Sequence, residues 1–371
     1  MHILLAPDSF KESLSAKHVA EDLKKGFQEA LPDATFDLLP IGDGGEGTME
    51  TLARVLNVTE YQTQVTGPFG QPVLMSYYQK DEMAFFELAS LVGLGSIPAE
   101  KRNPLELETR GIGELILQLV DQGVKTICVG IGGSATNDGG IGMAAGLGVA
   151  FYDDQDHLLR PVGASLGRVA RIDTSAVPNA LQDIDLQVLT DVTNPLCGSQ
   201  GATYVFGGQK GLNPLLFPAV DQAMKDFYQL VDARILSMAG AGAGGGMAAG
   251  LVAFAGGKIS SGIEKSLDLI DFDRKVQKAD LVVVGEGRMD LQSLSGKAPV
   301  GVAKRTPEKI PVIAICGSLS EDLPTFPSQN IDAAFSIVPG PCEVADALAH
   351  AERNLISCAR NIGNLLKMKA N

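Results

Sequence analysis

The sequence has no run of about 18 or more uncharged apolar residues, which a membrane-spanning helix needs. The stretch that comes nearest, residues 239–257, consists mostly of Gly and Ala and is followed by Lys258. A basic block is also missing, and the formal net charge at pH 7 is −14. These absences argue against a membrane span and against nucleic acid as a partner. Since the first residues enter an apolar strand without a signal-peptide pattern, we expect a cytoplasmic protein.

Cysteine and histidine are scarce. The five cysteines show no CxxC spacing and are odd in number, which favours reduced thiols over a disulfide framework. The four histidines are widely scattered, so a histidine-rich zinc site is not expected. Any metal ion would instead be a hard cation held by carboxylates. The P-loop pattern GxxxxGK[ST] is also absent, which argues against a Walker-type kinase.

What is present describes a globular chain with a large core. Of the 371 residues, 45% are hydrophobic and 20% are charged, and this length favours two domains. The first part reads as an apolar strand that ends at Asp8, followed by a helix with Ser15 as its N-cap. The strand "TFDLLP" and the helix "TMETLARVL" follow. This β-α-β-α order is typical of a doubly wound, Rossmann-like parallel sheet.

The pattern changes at Tyr61. The segments "YQTQVTG", "PVLMSYYQK" and "EMAFFELA" read as short strands of an antiparallel meander. The helix "GIGELILQLVDQG" leads into the strand "TICVGIGGSA", and the alternation of helix and strand continues through "LQVLTDV". After Gly256 the parallel pattern resumes with "ADLVVVGEGRMD" and "IPVIAICGS". Their apolar runs show no alternation, as expected for strands buried on both faces.

We therefore predict an α/β protein with a discontinuous first domain. Residues 1–60 and 281–371 would share one Rossmann-like parallel sheet, and residues 61–280 would form an inserted domain of mixed α/β structure. Two sequential domains are the alternative arrangement.

Clusters that combine glycine with acidic residues follow predicted strands at three places: Ile41–Thr48, Gly130–Gly140 and Gly285–Asp290. Ligands of open α/β sheets bind at the carboxyl ends of the strands. Glycine allows a sharp turn that exposes amide groups to an anion, and a helix that starts there adds favourable dipole charge. The structural alternative is that these glycines only shape strand-to-helix turns. Because every cluster carries carboxylates, we favour a ligand site.

The carboxylates at or just after the predicted strands are Asp8, Asp43, Glu46, Asp138, Asp191, Glu286 and Asp290. Carboxylates at such positions hold Mg²⁺, accept a proton from an alcohol or bind sugar-like hydroxyls. The alternative for each is helix capping. The basic residues near the same loops are Lys11, Arg288 and Lys297, and they suit an anionic substrate unless they are merely solvated. Lys297, in "SGKAPVG", directly precedes a predicted helix.

The motifs "LAPDSFKESLSA", "IGDGGEGT", "GIGGSATNDGG", "TDVTNPLCG", "GAGGGMAAGL" and "GEGRMDLQSLSGKAPVGVA" together resemble the glycerate kinase type 1 family. The resemblance covers the whole chain in order. It implies ATP-dependent phosphorylation of D-glycerate and two α/β domains with the active site in the cleft between them. Bacterial members that resemble this chain mostly make 2-phosphoglycerate, whereas other glycerate kinases make 3-phosphoglycerate. The residues of these motifs do not decide which of the two hydroxyl groups is phosphorylated.

The resemblance and the chemistry of phosphoryl transfer suggest roles for the candidate residues. Asp191 is our first candidate for the base and Asp8 the second, with Lys11 as a further catalytic residue. Glycerate would contact Ser9, Lys11, Asp43 and Arg288. Mg²⁺ would bind Glu286 and Asp290, with a contribution from Asp43. ATP phosphates would contact Gly132, Gly133, Ser134, Asn137, Asp138, Gly139, Gly140 and Lys297.

The sequence allows alternatives for the role of Asp138 and for the activity. Asp138 would lie near the metal or merely cap the following helix, and the amides of its loop would hold either ATP phosphates or glycerate. The protein would alternatively act on another small hydroxy acid, or bind a phosphorylated acid without catalysis. The expected partners are glycerate and ATP, with Mg²⁺ as cofactor. We expect no nucleic acid or membrane partner, and a homo-oligomer is possible.

Overall fold

The computed structural model describes residues 1–10, 13–42 and 47–370, without the side chains of residues 295, 369 and 370. Its strands, numbered in chain order, are β1 His2–Pro7, β2 Thr35–Leu38, β3 Thr59–Thr66, β4 Pro72–Lys80, β5 Met83–Glu87, β6 Thr126–Gly130, β7 Ala150–Tyr152, β8 Arg171–Asp173, β9 Asp185–Thr190, β10 Lys258–Ser261, β11 Leu281–Gly285, β12 Arg288–Met289, β13 Val312–Cys316, β14 Ser318–Leu319 and β15 Ala333–Ser336.

The α-helices are α1 Ala16–Ala30, α2 Thr48–Leu56, α3 Ala89–Val92, α4 Arg110–Asp121, α5 Ile141–Gly146, α6 Ala202–Phe206, α7 Phe217–Val231, α8 Met247–Ala255, α9 Gly262–Leu269, α10 Phe272–Val276, α11 Ala298–Arg305, α12 Val344–Ala349 and α13 Ala351–Ala370. In the part of the chain that the structure describes, no helix combines the length and the apolar character required to cross a bilayer.

The chain divides into two compact units. The first consists of Met1–Asp43, Glu50–Asn57 and Gly262–Asn371, and the second of Gly44–Met49 and Val58–Ser261. The predicted fold class is confirmed, because N- and C-terminal segments build one parallel sheet and the intervening segment builds a separate mixed α/β unit.

The sheet of the first unit has the strand order β15-β13-β11-β1-β2, and all of its pairs are parallel. Residues of β1 and β11 are buried along nearly their whole length, which explains their uninterrupted apolar sequences. Helix α1 begins after its predicted N-cap, since the Ser15 side chain accepts a hydrogen bond from the His18 amide. Its apolar stripe of Val19, Leu23 and Phe27 is fully buried.

The sheet of the second unit has the strand order β10-β9-β6-β5-β4-β3. The predicted meander is present, because β3, β4 and β5 pair antiparallel. Strand β5 also pairs in parallel with β6, and β6, β9 and β10 continue the parallel part. The meander is therefore one edge of a mixed sheet, because β5 belongs to both parts.

Helices α1 and α13 pack closely in the first unit through Gly26. A Cβ atom at Gly26 would lie 2.7 Å from the Ala359 Cβ and would overlap the backbone oxygen of Ile356. Backbone oxygens of a packed helix cannot move aside cheaply. Glycine at this helical position is therefore a packing requirement.

We predict that Gly26→Ala destabilises the protein by roughly 1–3 kcal/mol because of this overpacking. The sign is diagnostic, since the same change elsewhere in a helix stabilises by roughly 0.5–1 kcal/mol. Gly340→Ala, outside any helix, is the control: no atom of the described residues lies within 4 Å of a Cβ built there, so its unfolding free energy should change by less than about 0.5 kcal/mol. Urea unfolding followed by circular dichroism measures both, and a stabilised Gly26→Ala variant would show that the two helices do not pack this closely.

Candidate functional site

The first unit has a topological switch point between β1 and β11. Strand β2 lies on one side of this pair, and β13 and β15 lie on the other. Pro7 pairs with Gly285, and the Asp8 amide donates to the Gly285 oxygen at 2.8 Å. Asp8 and Glu286 therefore follow adjacent strands at the place where open α/β sheets bind ligands.

A pocket of about 680 Å³, the switch-point pocket, opens at this edge of the first unit. Its polar side chains are Asp8, Ser9, Ser13, Glu286, Arg288, Asp290, Lys297 and Ser318. Its apolar side chains are Phe10, Ile337, Val338, Val344, Ala347, Leu348 and Ala351. The structure thus brings together the predicted site residues Asp8, Ser9, Glu286, Arg288, Asp290 and Lys297. Lys11 and Asp43, also predicted for the substrate site, lie outside the described residues.

The Asp290 carboxylate is fixed by the turn that follows it. Its Oδ1 accepts from the amides of Gln292 and Ser293 at 2.9 and 3.2 Å. Burial raises the pKa of Asp290, but the hydrogen bonds from these amides and the charge of Lys297 outweigh it, so the net shift is downward. Every hydrogen bond of this carboxylate to the described residues goes to Oδ1. An ionised carboxylate is therefore held in the pocket with Oδ2 available for a cation.

The other acidic residues of the pocket are held by adjacent backbone. Asp8 Oδ1 accepts from the Ser9 amide at 2.6 Å. Glu286 is only 7% exposed, and its backbone oxygen accepts from the Gly317 amide at 3.0 Å. Burial, and secondly the charge of Glu286, raise the pKa of the Cys316 thiol. The buried Cys316 thiol is therefore uncharged and is not a nucleophile.

The pocket's cations come from the segment after β11. Arg288 is exposed and pairs in parallel with Ser318. Lys297 is the N-cap residue of α11, where the dipole of the helix also favours an anion. The pocket therefore offers both cations and carboxylates to a ligand.

In the second unit, the predicted site residues follow two neighbouring strands of the sheet. The loop that contains Gly132 and Gly133 follows β6, and Asp191 follows β9 directly. Gly130 pairs with Leu189 in these parallel strands. Asp191 and the start of the loop therefore lie at the same sheet edge.

Asp138 is fully buried and caps α5. It accepts from the Thr109 hydroxyl at 2.6 Å and from the amides of Gly140 and Gly142 at 3.0 and 3.3 Å. Burial raises the pKa of Asp138, and these hydrogen bonds partly oppose the shift. The geometry favours the capping alternative over a contact with metal or phosphate, because both carboxylate oxygens already have partners inside the unit.

Asn137 and Gly139 are also bound internally. The Asn137 side-chain amide donates to Thr203 Oγ1 at 3.0 Å, and the backbone N–H of Asn137 donates to the backbone oxygen of Pro104 at 3.0 Å. The Gly139 amide donates to the Gly245 oxygen at 3.0 Å. The glycine-rich segment 240–246 thus serves as a packing surface for the loop. These contacts leave the later half of the predicted phosphate-binding loop with a structural role.

The first half of the loop has a different environment. Gly132 and Gly133 are half-buried, and Gly133 has a φ of 68°. The amides of Gly132, Gly133 and Ser134 have no acceptor among the residues that the structure describes. Successive free amides at such a turn suit an anion. Phosphate binding by this loop stays a prediction, and Gly132–Ser134 are the predicted residues whose amides are available for it.

Sequence reasoning missed two residues that bind backbone or side-chain groups close to the predicted site: Lys210 binds the loop after β6, and Glu87 binds the start of α2. Lys210 is fully buried, and its ammonium donates to Ser134 Oγ at 3.0 Å and to the Thr136 oxygen at 2.7 Å. Glu87, at the end of β5, accepts from the Met49 amide at 2.9 Å. Their only sequence signals are a lysine among glycines and a glutamate after an apolar strand, and neither signal specifies a distant partner.

Burial lowers the pKa of Lys210 to about 7, although Asp138 opposes the shift. In the unfolded chain its pKa returns to the ordinary value near 10.5. Between about pH 7 and pH 10 the unfolded state therefore binds more protons at this residue than the folded state does. The free energy of unfolding must then rise with pH in this window, by up to about 1.4 kcal/mol per pH unit.

We predict that Lys210→Met abolishes this rise. The difference in unfolding free energy between the native protein and the variant should grow by roughly 1 kcal/mol or more from pH 7 to pH 9. Urea unfolding followed by circular dichroism at pH 7, 8 and 9 measures it, with the exposed Lys80→Met as control. A difference that is constant with pH would mean that Lys210 keeps its charge throughout.

The sequence is similar to known proteins along nearly its whole length. The sequence profile described as "Glycerate kinase family" matches residues 3–367. A glycerate kinase from Neisseria meningitidis serogroup B is 56% identical over 368 residues, which cover 99% of each chain. The glycerate 2-kinase of Escherichia coli K12 is 40% identical over 99% of this chain and 98% of its own.

A solved structure agrees with the match in sequence. The crystal structure of a provisionally assigned glycerate kinase 2 from Salmonella typhimurium LT2 superposes with a TM-score of 0.86 at 41% identity. The comparison covers 100% of this chain and 99% of that one. The chain belongs to the glycerate kinase family, whose members are kinases that phosphorylate an alcohol group.

Proposed function

We propose that this protein is a type 1 glycerate kinase that converts ATP and D-glycerate into ADP and 2-phosphoglycerate. The ordered set of motifs along the whole chain supports the type, and the name of the Escherichia coli relative, glycerate 2-kinase, supports the position of the phosphoryl group. The observation that carries the proposal is the switch-point pocket, because it combines carboxylates for a cation with the cations Arg288 and Lys297 for an anion.

The reaction transfers a phosphoryl group to the 2-hydroxyl of glycerate. A bond forms between that oxygen and the γ-phosphorus, the bond from the γ-phosphorus to the bridging oxygen of ADP breaks, and the hydroxyl proton passes to a carboxylate. Catalysis of this chemistry is mostly positioning and neutralisation of charge. Lys297 and Arg288 are suited to hold the anionic groups, and the amides of Gly132–Ser134 are suited to a further anionic group of a substrate.

The carboxylates of the pocket are suited to bind a Mg²⁺ ion that the phosphates of ATP would also coordinate. Within residues 1–10, 13–42 and 47–370, no three acidic, histidine or cysteine side chains gather into a metal cage. Mg²⁺ in kinases uses only one or two carboxylates, with phosphates and waters as the other ligands. Asp290, which keeps Oδ2 available, and Glu286 match that smaller set. When bound there, Mg²⁺ would neutralise charge on the phosphates.

For the base we propose Asp191 first and Asp8 second. Asp191 lies at the same edge as the free amides of Gly132–Ser134, and Asp8 lies in the switch-point pocket. Either carboxylate would accept the hydroxyl proton and orient the attacking oxygen. Substitution of each residue separates the two candidates.

The product test comes first. Purified protein with D-glycerate and Mg²⁺·ATP should release ADP, and ³¹P and ¹H NMR should identify 2-phosphoglycerate. Tartronate and lactate test other hydroxy acids as substrates. Absence of ADP release with D-glycerate would refute the proposal, and 3-phosphoglycerate as the product would refute its regiochemistry. Binding of a phosphorylated acid without turnover would indicate a non-catalytic binder.

We predict that Asp191→Asn lowers kcat by about 100-fold or more, because general-base catalysis contributes about that factor. Asp185→Asn is the matched control, since Asp185 begins the strand that Asp191 follows. It should leave kcat within about twofold. A large loss in Asp8→Asn with little loss in Asp191→Asn would transfer the role to Asp8.

A further inference from the structure

Helix α12 exposes an apolar surface to the switch-point pocket. None of its residues is buried, and Val344 is 74% exposed. Val344, Ala347 and Leu348 line the pocket together with Ile337 and Val338, which follow β15. Apolar side chains that gather at an open pocket indicate a ligand with an apolar face.

The pocket is chemically divided. Its charged residues come from the segments that follow β1 and β11. Its apolar wall comes mostly from the segment after β15 and from α12, and Phe10 and Ala351 are its other apolar residues. Lys297 and Arg288 therefore lie on a different segment from Val344 and Leu348. A ligand that matches both parts has an anionic end and a flat or apolar end.

The size of the pocket narrows the choice further. Its volume of about 680 Å³ lies within the range of roughly 300–1,000 Å³ that is usual for drug-sized ligands and cofactors. D-glycerate is a three-carbon acid in which every carbon carries an oxygen atom. It therefore has no apolar face that could pack against α12. Among the substrates of the proposed reaction, only ATP has both an aromatic ring and a polyanionic end.

We propose that this pocket is the nucleotide subsite, with the adenine ring against the α12 wall formed by Val344, Ala347 and Leu348 and the phosphates toward Lys297 and Arg288. The assignment rests on the proposed kinase function. It places the carboxylates of Glu286 and Asp290 on the phosphate side, where a shared cation is needed. It also leaves the amides of Gly132–Ser134 to a different anionic group.

Cys342 provides a direct test in the unmodified protein. It lines the pocket and is exposed, whereas Cys128 and Cys316 are buried. The remaining thiols are half-buried: burial raises the pKa of Cys197 to about 12 and also raises that of Cys358. Iodoacetamide should therefore react first at Cys342, and peptide mass spectrometry follows that site.

Saturating ATP or ADP should slow alkylation of Cys342 by about tenfold or more, the factor expected when about nine-tenths of the sites are occupied, whereas D-glycerate should not. Protection by D-glycerate and not by nucleotide would overturn the assignment. Equal rates with and without ATP would overturn it as well.

A variant that fills the pocket tests the adenine contact independently. Ala347→Phe should raise the KM for ATP by about tenfold or more and change the KM for D-glycerate by less than about twofold. Ala349→Phe, on the same helix but outside the pocket lining, is the matched control for helix stability and should leave both values unchanged. An unchanged KM for ATP in Ala347→Phe, or a rise for glycerate alone, would contradict the subsite.

The two proposals fail in distinguishable ways. If D-glycerate is not phosphorylated but ATP protects Cys342, the substrate proposal falls and the nucleotide subsite stands. If D-glycerate is phosphorylated and ATP gives no protection, the kinase function stands and the subsite falls.

Discussion

The parallel pairing of β1 with β11 is the constraint on which the proposed site depends. It joins residues from the start of the chain to residues nearly 280 positions later and aligns Pro7 with Gly285. Because both strands end at the same level, Asp8 and Glu286 emerge side by side, and the segments that follow β11 supply Arg288, Asp290 and Lys297. No local motif contains this site. It exists only when the N-terminal strand is placed in a sheet completed by the C-terminal segment.

The two units use charged residues in opposite ways. In the switch-point pocket the Asp290 carboxylate remains ionised and accessible, with its orientation fixed by amides of the next turn. In the second unit, Asp138 and Lys210 are fully buried, and each binds the loop after β6. Burial favours the neutral form of both residues. Both residues bind groups of the glycine-rich loop after β6, and the amides of Gly132–Ser134 in that loop have no acceptor among the described residues.

Strands and helices with strong periodicity could be predicted from the sequence because their signals are local. The buried stripe of α1, its Ser15 cap and the apolar run of β11 needed no information about distant residues. Carboxylates at strand ends were also identifiable, since strand direction places them at one sheet edge. The function of Asp138 was ambiguous, because capping and metal binding require the same residue type in the same loop. Lys210 was missed, because its partner Ser134 lies 76 positions earlier and no sequence pattern links them.

The proposed role of the edge formed by β1 and β11 is to hold the nucleotide for phosphoryl transfer. Methyl NMR of the intact protein with Mg²⁺·ADP tests it most directly, because Ile337, Val344 and Leu348 supply methyl groups to the pocket. Titration should shift these signals in a saturable manner, whereas the methyls of Leu251, which is buried in the core of the second unit, should not move. Unchanged signals at Ile337, Val344 and Leu348 with saturable shifts elsewhere would contradict the claim.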